Sequence, residues 1–248
     1  LCVAVSVSFF ACTQPKKETP PTPPADTAPA GPFGWVEGKI TVSGKLPPLK
    51  PHRMDGSLSK QCGDETPDLS LVVGAGGALQ EAVVSIDDAP PTRVADGFKP
   101  VLLDQKGCVY RPAIVATRAG QSVKVRNSDP VLHNVRGMAP PDRTPLFNVM
   151  MPIENLSIEK KLPPTAGVVE LQCDVHPWMH AWAATFTHDL FATTDANGHY
   201  RIEHITAGKH PLKLWHPRLG EKRVEVEVKA DAGVTLDIGW EVSDTASP

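Results

Sequence analysis

Short runs of alternating or β-branched residues, broken by Gly, Pro and Asp, recur along most of this chain. Val36 to Val42, Val83 to Ile86, Ala113 to Ala116, Ser122 to Arg126, Val168 to Gln172 and Ala183 to Phe186 each have the length and composition of a strand. No stretch combines a helical period with capping residues, so the predicted fold class is all-β, of the packed-sheet kind. Pro47 to Asp68 and Ala139 to Pro145 are polar or Pro-rich and read as loops over the sheets. After His188 a second series begins. Thr194-Asp195-Ala196-Asn197-Gly198-His199-Tyr200 is a turn leading into a strand, and Pro211 to Trp215, Arg223 to Val228 and Val234 to Trp240 alternate as strands.

The beginning of the chain departs from this pattern. Leu1 to Ala11 is an apolar run too short to span a bilayer. With Cys12 behind it, the run resembles the end of a bacterial lipoprotein signal, which implies lipidation at Cys12; an ordinary secretion signal is the alternative. Thr13 to Pro32 is Pro, Thr, Ala and Lys with almost nothing apolar to bury, and it reads as an extended, disordered tether. The formal charge of −3 over 248 residues leaves no electrostatic footprint for nucleic acid.

The chemistry concentrates in one place. Cys173-Asp174-Val175-His176-Pro177-Trp178-Met179, with His133-Asn134 upstream, offers a thiolate, two imidazoles and a thioether to one metal ion. Thiolate and thioether favour Cu(I) while imidazole suits both oxidation states, so three strong ligands with a weak axial Met suit a copper ion that changes charge by one. Pro177 stiffens the loop between the last two ligands. Asn134 is suited to hydrogen-bond backbone across the gap between the two segments. Other readings stand beside this one. Cys173 can be a small buried hydrophobe. Zinc can take Cys173, His176, His180 and His133 tetrahedrally. Nucleophilic catalysis by Cys173, with His133 or His176 as base, lacks any substrate-pocket signature.

On these residues the chain resembles the cupredoxins, and the Cys-x-x-His-x-x-Met loop is most similar to that of amicyanin. The resemblance implies His133, Cys173 and His176 as strong copper ligands and Met179 as the axial one, with His180 as a competing donor. It further implies a Greek-key sandwich and one-electron transfer between extracytoplasmic redox partners, cytochromes or a membrane-bound complex among them, by a protein that is not an enzyme. Trp178 and Pro177 form an apolar collar beside His176 through which a partner can approach; the alternative is that Trp178 packs against the second sandwich. Copper delivery or storage is the second functional reading, with Met138, Met150 and Met151 as soft exchange ligands.

Under this reading Cys2 leaves with the signal, Cys12 carries the lipid and Cys173 binds copper, so that Cys62 and Cys108 remain as a pair. An oxidising compartment permits a disulfide between them, although spacing does not fix the pairing and two free buried thiols are the alternative.

The strands after His188, with Ala207-Gly208-Lys209-His210, resemble a carboxypeptidase regulatory-like domain, a small transthyretin-like or Ig-like sandwich. Trp35 to Ile40 and Leu79 to Val84 resemble parts of the same family. The predicted organisation is therefore a signal at 1–12, a tether at 13–32, an N-terminal β segment at 33–97, a copper domain at 98–189 and a regulatory-like segment at 190–242. An inserted arrangement is favoured over two sequential domains, because the strands after His188 are too few to close a sandwich alone. His199, His204, His210 and His216 have no ligand spacing and no thiolate, and read as ordinary surface or sandwich residues. Of the four, His216 is the one that could meet His180 or His188 across a domain boundary.

Overall fold

The computed structural model describes residues 32–93 and 99–242. Cys2, Cys12, the tether up to residue 31 and Phe98 lie outside the described residues. The regular elements of the described chain are almost all strands, arranged as two sandwiches with separate cores.

One sandwich is made from residues 101–186. Its five-stranded sheet runs in the order Thr144–Met151, His133–Ala139, Gly167–Gln172, His180–Phe186, Ile114–Arg118. The facing sheet has four strands in the order Ser157–Lys161, Ser122–Asn127, Val101–Gln105, Tyr110–Arg111. The alternation Ser-Val-Lys-Val-Arg-Asn shows how sequence sets the face: Val123, Val125 and Asn127 are fully buried, while Lys124 and Arg126 are exposed. Leu103, Val135, Leu171 and Ala183 meet these valines in the core.

The flanking segments share the other sandwich. Phe33–Gly44 pairs antiparallel with His199–Thr206 and parallel with Gly233–Thr235 and Ile238–Val242. Its partner sheet has the order Phe191–Thr193, Val83–Ile86, Gly208–His216, Gly220–Val228. Thus the strand that precedes the first sandwich and the strand that follows it, Val83–Ile86 and Phe191–Thr193, are hydrogen-bonded neighbours. All four residues of Val83–Ile86 are buried because the strand is covered on both faces. Val84 and Ile86 enter the core of the flanking sandwich, whereas Val83 meets Ile114 and Ala184 of the five-stranded sheet, with Trp182, Phe186 and Trp215 packed around them. Glu81 Oε2 reinforces this junction by accepting the amides of Ala113 and Ile114 at 2.9 and 3.0 Å.

Several sequence expectations change in detail. The segment 47–68 is not a plain loop: it carries a small ladder, His52–Arg53 against Glu65–Thr66, and a helical turn at Ser59–Cys62. Ala139–Pro145 contains the ends of two paired strands, since Ala139 faces Thr144 and only residues 140–143 connect them. The single strand expected over Val234–Trp240 breaks at Leu236 and Asp237. There Asp237 Oδ1 turns back to accept the Lys39 amide at 2.8 Å, and a side chain on Gly38 would collide with the Leu236 carbonyl.

His216 does not serve a second metal site, and among the described residues no metal-capable group includes it, His180 or His188. Its ring is buried and accepts the Arg218 amide through Nδ1 at 3.2 Å. Burial, with Arg218 adding to it, pushes its pKa down from 6.5 to about 4. Above pH 6.5 the imidazole is neutral in both folded and unfolded chains, so stability is full; as pH falls from there the unfolded chain binds a proton that the folded chain refuses. Stability should therefore drop by about 3 kcal/mol between neutral pH and pH about 4 from this group alone. Urea unfolding of the metal-free His216→Asn variant should show most of that loss removed, and an unchanged pH dependence would contradict this account.

Candidate metal centre

The loop that carries Cys173, His176 and Met179 joins Gly167–Gln172 to His180–Phe186, neighbouring strands of the five-stranded sheet. It is closed by its own backbone: the Cys173 amide donates to the Met179 carbonyl at 3.2 Å, and the Met179 amide donates to the His176 carbonyl at 2.9 Å. These bonds turn Cys173, His176 and Met179 inward together, and all three are buried. Of the four intervening positions, Asp174, Val175 and Pro177 are exposed and Trp178 is half-buried.

His133 comes from the first residue of the next strand in that sheet, which pairs with Gly167–Gln172. Its Nδ1 lies 2.9 Å from Nδ1 of His176, and Cys173 Sγ lies 3.8 Å from the same His176 nitrogen. The ligating atoms of His133, Cys173 and His176 all fall within 4.8 Å of one another. Met179 belongs to the same apolar cluster as Cys173, with Val135, Met151 and Leu171.

The surroundings fix each donor. Asp129 accepts from His133 Nε2 at 3.0 Å and is itself held by the amides of Gly107 at 2.7 Å and Cys108 at 2.8 Å. With Nε2 engaged there, His133 presents Nδ1 to the cluster, which is the orienting role that a carboxylate plays behind a ligating imidazole. Asn134 joins the two ligand segments. Its Oδ1 accepts the Asp174 amide at 2.5 Å and the Val175 amide at 3.3 Å, its Nδ2 donates to Asn148 and Asp174, and its backbone amide points at Cys173 Sγ at 3.4 Å.

Ionisation of Cys173 follows from this arrangement. Burial opposes the charge, but hydrogen bonds from His133, His176 and the Asn134 and His176 amides outweigh it and bring the thiol down from 9.0 to about 6. For His133 burial disfavours the imidazolium, yet the bonds to Asp129 and Cys173 raise its pKa overall. Burial likewise works against the Asp129 carboxylate, and His133 with the two amides holds its pKa below the ordinary value. The donor set fits a metal ion of soft or borderline character, since one thiol sulfur, two imidazoles and the thioether of the same loop are buried together.

The remaining candidates separate from the cluster. His180 is exposed at the start of its strand and its ring lies 6.3 Å from that of Trp182. Trp178 packs against the core cluster that holds Cys173. It stacks on His52 at 3.8 Å between ring centres, sits 5.1 Å from the His176 ring and donates from Nε1 to the Cys108 carbonyl at 3.0 Å. Cys62 and Cys108 form a disulfide, and Cys173 is the free cysteine among the described residues. Asp129, His52 and the backbone of Cys108 were not singled out by sequence; the four-residue step from Asp129 to His133 is the signal that could have marked the first.

No protein-family model matches this chain, and no curated protein matches it. Similar solved structures include a reduced variant of amicyanin at 23% identity, covering 42% of this chain and 98% of that one with a TM-score of 0.32. Amicyanin from Paracoccus versutus follows at 20% identity, over 42% of this chain and 97% of that one, with a TM-score of 0.32. A purple cupredoxin from Nitrosopumilus maritimus is similar at 21% identity, over 35% of this chain and 99% of that one, with a TM-score of 0.30. By its own residues the chain is an all-β protein with a buried thiolate–imidazole cluster suited to a metal.

Removing the negative charge behind His133 should loosen the cluster without unfolding the sandwich. Asp129→Asn is expected to lower metal affinity by about 10–100-fold, measured by competition with a chromophoric chelator. Affinity equal to wild type would show that Asp129 does not orient the imidazole.

Proposed function

We propose that this protein is a mononuclear blue-copper electron carrier, with Cys173, His133 and His176 as strong ligands and Met179 as the weak axial one. The observation that carries the reading is the burial of Cys173 and His176, on a loop closed by its own hydrogen bonds, beside His133 from the neighbouring strand. Bound copper supplies a one-electron couple. The chain's part is to hold the donors still: Asp129 orients His133, Asn134 fixes the separation of the two ligand segments, and the Met179–His176 and Cys173–Met179 backbone bonds resist rearrangement of the loop.

Copper is favoured over zinc because the third buried side chain on the loop is a thioether, a soft donor, while His180 lies at the surface. Nucleophilic catalysis is disfavoured by the complete burial of Cys173, which leaves no approach for a substrate. The second functional reading, copper delivery, is weakened by the placement of the methionines. Met150 is exposed but its neighbour Met151 points into the core, and Met138 is buried beside Arg143.

The wider setting belongs to the same proposal. A disulfide supports an oxidising compartment outside the cytoplasm. We place the carrier there, held to a membrane by lipid at Cys12 on the tether that follows, with the flanking sandwich as a carboxypeptidase regulatory-like module and redox proteins as partners.

Titration of the metal-free protein with Cu(II) should give one equivalent per chain and an intense visible thiolate-to-copper charge-transfer band, absent from Cys173→Ser. Stoichiometric zinc with no such band after copper loading would refute the reading. Voltammetry of Met179→Leu should show a higher reduction potential than wild type, whereas His180→Ala should leave potential and spectrum nearly unchanged. A shift confined to the His180 variant would move the axial role to that residue.

A further inference from the structure

Cys108 touches both arms of the centre. Its amide donates to Asp129 at 2.8 Å, and Asp129 in turn holds His133 Nε2 at 3.0 Å. Its carbonyl accepts the indole N–H of Trp178 at 3.0 Å, and Trp178 lies against His176. Both bonds are made from the backbone that Cys108 adopts, with φ of 55° in the left-handed region, where a side chain other than glycine's is uncommon.

The side chain of Cys108 leads elsewhere. It is joined to Cys62, on the helical turn Ser59–Cys62 of a strap spanning residues 52–66. That strap is not part of the sandwich that carries the ligands; it descends from the chain between Phe33–Gly44 and Val83–Ile86 of the other one. Met54 and Cys62 nevertheless lie in the core cluster that includes Cys173 and Met179, and His52 covers the face of Trp178. Apart from this packing and stacking, the disulfide is the covalent tie between strap and centre.

We propose that the Cys62–Cys108 disulfide positions the metal ligands, so that its thiol–disulfide state sets how tightly the centre holds its ion. The inference deepens the copper reading above and rests on it for the identity of the ion. A dithiol reductant delivers two electrons and two protons, the S–S bond breaks, two thiols form, and the reductant leaves as its own disulfide. Freed from Cys62, residue 108 loses the constraint on its left-handed backbone, and the strap loses its anchor over Trp178. Asp129 then loses an amide donor and His176 loses the fixed indole beside it, so both imidazoles gain freedom at once. Cys62 and Cys108 are positioning residues here and touch no reacting atom.

Two preparations test this: anaerobically reduced protein freed of the dithiol reductant, and the Cys62→Ala/Cys108→Ala double variant. In the metal-free state, hydrogen exchange of the backbone amide at position 108 and the Trp178 indole N–H should be at least about tenfold faster in both than in the disulfide form, while the Val84 amide in the other core keeps its protection. Affinity for Cu(I), measured by chelator competition, should fall by about 10–100-fold, with a displaced charge-transfer band on oxidation. Affinity unchanged in folded protein overturns the proposal, whatever the exchange shows. If even the disulfide form gives no charge-transfer band, the copper reading fails by itself. Zn²⁺ affinity then replaces that for Cu(I), and the disulfide's role is decided by the same comparison.

Discussion

A thiol that ionises inside a protein core loses the solvation that water would give it, and the rest of the centre is organised around that loss. Cys173 is fully buried, so its charge must be met by fixed donors: two imidazoles and the Asn134 and His176 amides. Each donor needs its own support, and the supports lead outward. His133 leans on Asp129, Asp129 on the amides of Gly107 and Cys108, and Cys108 on its bond to Cys62. Asn134 has further backing, because its carbonyl accepts from both Tyr110 Oη and Gln105 Nε2 at 3.0 Å. A buried polar network of this kind is stable only when its members are satisfied, so a change several bonds from the sulfur is felt at the sulfur.

The part of the centre that was legible in sequence is the part written within one loop. Cys173, His176 and Met179 recur at three-residue steps, and a short loop can hardly turn them anywhere but to one side. His133 was recognisable by residue type but not by spacing, since nothing in its neighbourhood states which strand will lie beside it. Asp129, Cys108 and His52 are different in kind. Their roles depend on the chain returning from 21 residues away in the bond from Asp129 to Cys108 and from 70 in the bond from Cys108 to Trp178. No local pattern encodes such meetings.

The fold shows the same division. Strands with β-branched alternation, such as Ser122–Asn127 and Val83–Ile86, were visible because side-chain volume and period act locally. His133–Ala139 and Thr144–Met151 were not, because the first begins with a His and an Asn and the second mixes Pro, Asn and outward-facing Met150. Their pairing in the sheet, not their composition, makes them strands. The one expected strand that broke, at Leu236 and Asp237, did so because Asp237 finds a better partner in the Lys39 amide across the sheet.

The adjacency of Val83–Ile86 and Phe191–Thr193 has a consequence for how the chain comes into being. Phe33–Gly44 emerges early from a ribosome, but its sheet neighbours are His199–Thr206, Gly233–Thr235 and Ile238–Val242. At about 5–20 residues per second of synthesis this strand waits of order ten seconds or more with its edges bare. The two sheets between residues 101 and 186 have all their strand partners within that span and can close first. Closure brings residues 86 and 191 toward each other and shortens the gap that the early strand has still to bridge. The sandwich at residues 101–186 can thus serve as a folding template for the one that encloses it in sequence.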